Sequence, residues 1–128
     1  MKKKILLACL VALMSTTPVY SYEGECKGGT IVAGFCISNV TMNWWSAQAW
    51  CQVNGSRLAT IYEMCPSWNG NIGGECPELK GTSSGRIFWS ATAYGNDKAL
   101  DVNSDAGTVA TGYLRPLQRH QNNDAFCR

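Results

Sequence analysis

The side chains that could catalyse a reaction in this 128-residue sequence are few and widely spaced. Glu75 and Glu78 could form a carboxylate pair for general acid–base catalysis, but the Gly-rich polar stretch around them is typical of a solvated surface. His120 is the single histidine and could form a dyad with Asp124, four residues later, yet no nucleophile accompanies them. The sequence therefore predicts no catalytic residues and indicates that the protein is not an enzyme.

A second pattern concerns metal binding. The sequence Asp101-x-Asn103-x-Asp105 alternates oxygen-bearing side chains as a calcium-binding loop does. The expected glycine falls one position late, however, and the twelfth position holds Gly112 instead of a glutamate. Short Asp and Asn side chains are also typical of turns, where they bond neighbouring backbone groups. The pattern therefore predicts a strand that runs into a hairpin turn, with no metal and no cofactor.

The chain holds seven cysteines, and its first segment explains the odd number. Lys2–Lys4 precede the apolar run Ile5–Met14, and small or modest residues lead to Ser21, as in a secretory signal peptide cleaved after that residue. The sequence Leu6-Leu7-Ala8-Cys9 resembles a lipoprotein cleavage box, but the apolar run continues past it. That run is also shorter than the roughly 20 residues that span a bilayer. We expect a signal peptide over residues 1–21 and a mature domain over residues 22–128.

The mature chain has a different composition from its precursor. Eight basic residues face nine acidic ones, and this net charge of −1 does not favour nucleic-acid binding. An even set of six cysteines in an exported domain of this size is typical of three disulfides, although the residues alone leave their pairing open. We expect a secreted, periplasmic or cell-surface protein without a transmembrane segment. The six cysteines are Cys26, Cys36, Cys51, Cys65, Cys76 and Cys127.

The first half of the mature chain predicts a strand and a helix. Residues 30–37 are β-branched and aromatic, which is typical of a strand or a hairpin arm. Thr41 is the expected N-cap of a helix over residues 43–54, which Gly55 would end. We expect Trp45 at the margin of the buried helical stripe. That stripe has the spacing i, i+3, i+7 and comprises Trp44, Ala47 and Cys51.

The second half predicts short strands after a long loop. Thr60 and Glu63 have the spacing of a capping box and predict a second, shorter helix. Residues 66–86 hold five glycines and two prolines without any periodicity, so we expect a functional or disordered loop. Helices early and strands late indicate an α+β domain with mostly antiparallel pairing. The short strands are expected over residues 87–91, 99–102 and 108–110.

Two segments resemble a known superfamily. The segment 44–61 is similar to the first-helix signature of the C-type lectin-like superfamily, and residues 88–92 resemble its Phe-Trp segment. The tail from Phe88 to the terminal Cys127-Arg128 is more similar to one bacterial branch of the superfamily, which comprises the C-terminal domains of collagen-like adhesins. The resemblance covers residues 26–128 and implies two helices, short antiparallel strands, a long loop region and three disulfides. The first signature comprises Trp44, Ala47, Trp50, Cys51, Gly55, Leu58, Ala59 and Ile61.

The resemblance also implies how the cysteines pair and limits what can be transferred. It implies the pairs Cys51–Cys127 and Cys26–Cys36, which leaves Cys65–Cys76. The Glu-Pro-Asn or Gln-Pro-Asp triplet of calcium-dependent members is absent, and residues 122–124 echo the Trp-Asn-Asp triplet only in part. The usual calcium-mediated lectin site is therefore not expected here.

In this superfamily the long loop and the adjacent strand ends form the ligand-binding face. Aromatic rings with amides suit sugars, because rings stack on CH surfaces while amides bond hydroxyls. The same composition suits protein recognition. The resemblance implies an adhesin-like module for a glycan or cell-surface ligand; the alternative is a protein-binding module, such as a pilus-tip or variable receptor component. The expected binding residues are Trp68, Asn69, Asn71, Tyr94, Asn96, Tyr113, Arg115 and Arg119.

Two features of that face have a second interpretation. Trp68 could be exposed to a ligand or could pack beneath its own loop as a local core. Arg115, Arg119, His120 and Arg128 form a C-terminal basic cluster that could meet an anionic glycan, although a solvated rim is the favoured interpretation.

Overall fold

A six-stranded sheet with one helix on each face forms the framework of the protein. The computed structural model describes residues 22–114 and 121–128, so the predicted signal peptide lies outside the described residues. The α+β expectation is confirmed, with mostly antiparallel strands. The elements are β1 (Gly29–Val32), β2 (Phe35–Met42), α1 (Trp44–Val53), α2 (Ile61–Met64), β3 (Ile87–Tyr94), β4 (Lys98–Asn103), β5 (Thr108–Tyr113) and β6 (Asn123–Cys127).

The last strand lies in the middle of the sheet. The strand order is β1-β2-β6-β3-β4-β5, so β6 joins the N-terminal hairpin to the β3–β5 meander. Neighbouring strands are antiparallel except β3 and β6, which pair in parallel where Phe88 faces Asp124. Every residue of β6 is buried. The two halves of the sheet therefore depend on the final residues of the chain.

Alternation along the central strands builds two cores, one on each face of the sheet. Phe126 packs with Phe88 on the face that carries α2, and their ring centroids are 5.0 Å apart. The preceding residue, Ala125, belongs to the cluster on the opposite face, where Trp89 packs with α1. Side chains of successive strand residues point to opposite faces, so each central strand supplies both cores.

The helix α1 begins at a different cap from the one that the sequence predicts. Thr41 is not the N-cap, because β2 continues through it to Met42 and pairs it with Asp124. The N-cap is Asn43, whose Oδ1 accepts a hydrogen bond from the Ser46 N–H at 2.8 Å. Because Thr41 is part of the paired strand β2, the helix begins two residues after it, and Asn43 caps the first turn instead.

The C-terminus of α1 has the predicted glycine. Gly55 adopts a positive φ of 75°, a conformation that glycine adopts at little cost. Its N–H donates to the Gln52 carbonyl, and the Ser56 N–H donates to the Cys51 carbonyl. These two bonds form a Schellman motif, which satisfies carbonyls at the helix end.

The helix α2 begins with the predicted capping box. The Thr60 hydroxyl oxygen accepts the Glu63 N–H at 3.3 Å, and the Glu63 carboxylate accepts the Thr60 N–H at 2.9 Å. The same carboxylate accepts two hydrogen bonds from Arg57, at 2.7 and 2.8 Å, and pairs with Arg128. Glu63 therefore links α2 to the last residue of the chain.

Three disulfides are present, with the pairing that the resemblance implies. Cys26–Cys36 closes the N-terminal hairpin, Cys51–Cys127 joins α1 to β6, and Cys65–Cys76 lies in the loop region. The second bridge spans 76 residues and the third spans 11. In the chain-entropy model, these closures stabilise the folded state by about 4.5 and about 3 kcal/mol respectively.

We predict that replacing both Cys51 and Cys127 by serine lowers the free energy of unfolding by about 4–5 kcal/mol. Without the bridge, the unfolded chain regains the conformational entropy that closing the 76-residue loop removes. The matched control replaces Cys65 and Cys76 by serine, with an expected loss of about 3 kcal/mol. Urea denaturation of the oxidised proteins measures both values. A larger loss in the control than in the first variant would contradict the prediction.

Candidate functional site

The irregular region that the sequence predicts forms an ordered loop along the first residues of β5. We call residues 65–86 the long loop. Its Cys76 N–H donates to the Gly107 carbonyl at 2.7 Å, and its Gly73 N–H donates to the Val109 carbonyl at 2.8 Å. Between them Glu75 forms an isolated bridge with Thr108. The loop therefore extends the sheet at the β5 edge and is held by backbone hydrogen bonds as well as by its disulfide.

Trp68 belongs to the local core of the long loop. Its ring is half-buried, packs against the core on the α2 face and lies 5.5 Å from the Tyr62 ring. Its indole N–H donates to the Asn71 carbonyl at 2.8 Å, and the Asn71 N–H donates to Asn69 Oδ1 at 2.9 Å. Trp68, Asn69 and Asn71 thus shape the loop, while Tyr62, 56% exposed, presents its ring to solvent.

Tyr94 and Tyr113 lie in one row across three strands. The register pairs Tyr94 with Lys98 and Lys98 with Tyr113, so the three side chains share one face of the sheet. The Lys98 ammonium lies 4.9 Å from the centre of the Tyr113 ring, a cation–π contact. Tyr94 is 48% exposed, Tyr113 is 39% exposed, and Asn96 is exposed in the turn between β3 and β4.

This row and the long loop lie on the same face of the sheet. Lys98 alternates with Leu100 and Val102, and those two pack in the core cluster that also contains Leu79 of the long loop. The structure thus places the described predicted binding residues in two groups on one face. Arg115 and Arg119 lie outside the described residues. We call the following set the aromatic face: Tyr62, Trp68, Tyr94, Asn96, Lys98 and Tyr113.

Sequence reasoning missed two members of the aromatic face. Tyr62 follows the buried Ile61 in α2, and the spacing of Ile61 and Met64 could have indicated that Tyr62 points outward. Lys98 gave no comparable signal, because its position between two tyrosines depends on the register of three strands. Register is a property of the assembled sheet and cannot be obtained from one strand.

Glu75 and Glu78, the candidate carboxylate pair, make separate contacts within and around the long loop. Glu78 accepts hydrogen bonds from the Ser67 N–H at 3.0 Å and from the Ser67 hydroxyl at 2.5 Å. Its slight burial raises the pKa, but these hydrogen bonds and one from its own backbone N–H together outweigh it, so the pKa of Glu78 is lowered. Glu75 holds the bridge to Thr108. The other candidate pair includes His120, which lies outside the described residues.

The predicted hairpin turn is present between β4 and β5, and its oxygens bond the backbone. Asn103 Oδ1 accepts the N–H groups of Asp105 and Ala106 at 2.9 and 3.2 Å. Both carboxylate oxygens of Asp105 accept the Gly85 N–H at 2.9 Å. Over residues 22–114 and 121–128, no group of three or more His, Cys, Asp or Glu side chains is placed to hold a metal ion.

Asp101, the first residue of that pattern, is buried on the α1 face of the sheet. It is 1% exposed, and its Oδ2 accepts hydrogen bonds from Gln121 Nε2 at 3.0 Å and Asn123 Nδ2 at 2.9 Å. Burial raises the pKa of Asp101 to about 6, although the two amide hydrogen bonds oppose the rise. Its carboxylate therefore anchors the residues that lead into β6.

The comparisons with known proteins add no relative. No family model matches the chain, and neither the curated proteins nor the solved structures contain a match. In the part of the chain that the structure describes, no helix is both long and apolar enough to cross a membrane.

We predict that Asp101→Asn becomes progressively more stable relative to the wild type as pH rises. Below about pH 4 the carboxyl is protonated in both folded and unfolded chains, so burial carries no ionisation penalty. Between about pH 4 and 6 the unfolded chain ionises first, and the penalty grows to about 3 kcal/mol by neutral pH. Asparagine does not ionise and escapes this penalty.

Urea denaturation of both proteins across pH 3.5 to 7.5 measures this difference. Val40→Ala, an exposed change in β2, is the control and should follow the wild-type pH dependence. A stability difference between Asp101→Asn and the wild type that stays constant with pH would contradict the prediction.

Proposed function

We propose that this chain is an exported, disulfide-stabilised binding module of the C-type lectin-like type, which recognises a glycan or another cell-surface ligand. It acts as an adhesin without the usual calcium site and without catalysis. The observation that carries the proposal is the row of Tyr94, Lys98 and Tyr113, two exposed rings on either side of a positioned cation.

The row suits a carbohydrate chemically. The exposed faces of the two tyrosines offer apolar surface to the CH side of a sugar ring, and their hydroxyls both donate and accept hydrogen bonds. The Lys98 ammonium adds three donors, and the exposed Asn96 amide adds donors and an acceptor at the neighbouring turn. Hydroxyl groups, which donate and accept, find both kinds of partner along this row.

The row is also held in place before any ligand arrives. All three side chains are anchored on paired strands, and the contact with Tyr113 restricts the long Lys98 side chain. A side chain that is already ordered loses less conformational entropy when it binds. Sites on strands are more precise than sites on loops.

The alternative is a protein-binding module, and one observation favours it. Tyr62, whose ring lies beside the half-buried Trp68, is exposed, and so is Ile72 of the long loop. Exposed aromatic and apolar side chains among asparagine and glycine are typical of surfaces that bind proteins. In that case the long loop, rather than the tyrosine row, would supply most of the contact.

We predict that the oxidised chain binds members of an immobilised glycan array in the presence of EDTA as well as with calcium. Tyr113→Ala should weaken this binding about tenfold or more, because it removes a stacking surface and the ring under Lys98. Val40→Ala, an exposed change on β2, is the matched control and should bind as the wild type does.

Three results would contradict the proposal. They are binding that EDTA abolishes, glycan binding that Tyr113→Ala leaves unchanged, and the absence of binding to every glycan. Capture of a purified surface protein that Tyr62→Ala weakens, together with no glycan binding, would establish the alternative.

A further inference from the structure

A groove of about 360 Å³ lies beside α1. Its wall residue Leu58 packs in the cluster of α1 and Trp89, which is the core on the other face of the sheet. The volume falls within the range of about 300–1,000 Å³ that is usual for small-molecule sites. The groove is lined by Gln48, Gln52, Arg57, Leu58, Thr60 and Ala91.

One stripe of α1 supplies the polar wall of this groove and an exposed indole beside it. Trp45, Gln48 and Gln52 are spaced i, i+3, i+7, so their side chains lie along one side of the helix. Trp45 is 59% exposed, an unusual state for so large an apolar side chain. Trp45 lies about one turn before Gln48 on that side of the helix, next to the residues that line the groove but not among them.

The Trp45 ring packs on a fixed neighbour. Its centroid lies 4.9 Å from that of Trp44, in an edge-on arrangement. Trp44 is buried, and its indole N–H donates to the Ser90 carbonyl at 2.8 Å. The exposed indole therefore rests against a ring that β3 holds in position.

The groove and the helix side next to it offer unused hydrogen-bonding groups. Within the described residues, the side-chain amides of Gln48 and Gln52 and the indole N–H of Trp45 have no hydrogen-bond partner. The Arg57 guanidinium donates to the Glu63 carboxylate in a two-pronged bond, and Arg128 pairs with the same carboxylate. The hydroxyl groups of a saccharide match these amides and the indole N–H as hydrogen-bonding partners.

We infer that this groove is a binding site for a saccharide, in addition to the aromatic face. The apolar side of a pyranose ring stacks on Trp45, and its hydroxyls bond the amides of Gln48 and Gln52. The apolar surfaces of Leu58 and Ala91 line the groove beside the amides. A protein with sugar sites on both faces of its sheet could bridge two glycans, and each site would act without a metal.

The test is an NMR titration of the isotope-labelled, oxidised chain with four neutral disaccharides: cellobiose, lactose, maltose and N,N′-diacetylchitobiose. For at least one of them, the Trp45 indole N–H and the side-chain amides of Gln48 and Gln52 should shift together. Trp45→Ala and the double change Gln48→Ala/Gln52→Ala should each weaken that binding about tenfold.

Two control variants show whether the saccharide binds in this groove. Val53→Ala changes an 88% exposed residue of the same helix and should leave the affinity unchanged. Tyr113→Ala should also leave the groove response intact, because that residue lies on the aromatic face. Since Trp45 is exposed, Trp45→Ala should keep the wild-type urea midpoint, so that a loss of binding reports on the site.

Absence of any shift at Trp45, Gln48 and Gln52 with all four disaccharides would overturn the inference. So would shifts that Trp45→Ala leaves unchanged. Either result leaves the proposal for the aromatic face standing, since that proposal fails only if binding is insensitive to Tyr113→Ala, needs calcium or is absent.

Discussion

The central position of β6 is the constraint on which the rest of the structure depends. Its five residues are all buried, and they complete the sheet between β2 and β3. The Phe126 carbonyl accepts the Ala59 N–H at 2.9 Å, and the disulfide Cys51–Cys127 joins the strand to α1. The strand β6 supplies Ala125 to one core and Phe126 to the other, so both cores include side chains from the end of the chain.

An ion pair between the partly buried Arg86 and the buried Asp124 bridges the irregular part of this pairing. The pairing of β2 with β6 shifts register between Ile37 and Thr41, which leaves backbone groups of β2 without strand partners. Arg86 fills the gap: its Nε donates to Asp124 Oδ2 at 2.7 Å, and its Nη2 donates to the Ser38 carbonyl. Buried charges are costly unless paired, and here each charge meets its counterpart. The start of β3 is thereby fixed to both β2 and β6.

Local signals in the sequence predicted the local structure well. The capping box of Thr60 and Glu63, the helix-ending Gly55 and the hairpin turn after Asp101 each depend on a few neighbouring residues, and all three are present. Thr41 failed as the N-cap because the strand β2 continues past it, which is a tertiary effect. A neighbouring strand can override a good capping residue.

Non-local relations were beyond the same reasoning. The amides that surround Asp101 come from residues 20 and 22 positions away, and nothing in its neighbourhood indicates that its carboxylate is buried. Among the candidate binding residues, some were predicted from the sequence and others depend on the assembled sheet. The resemblance implied that Tyr94 and Tyr113 belong to the binding face, but only the strand register places Lys98 between them. The exposure of Trp68 depended on the path of its own loop, which a Gly-rich sequence does not determine.

The central functional claim is that a ligand is recognised by exposed side chains on a sheet that β6 holds rigid. The most direct measurement records the aromatic-ring NMR signals of the oxidised chain while a glycan selected from the array is added. The account predicts that the ring signals of Tyr94 and Tyr113 shift together and saturate at the same concentration. Saturable binding that leaves both tyrosine rings unperturbed would contradict it.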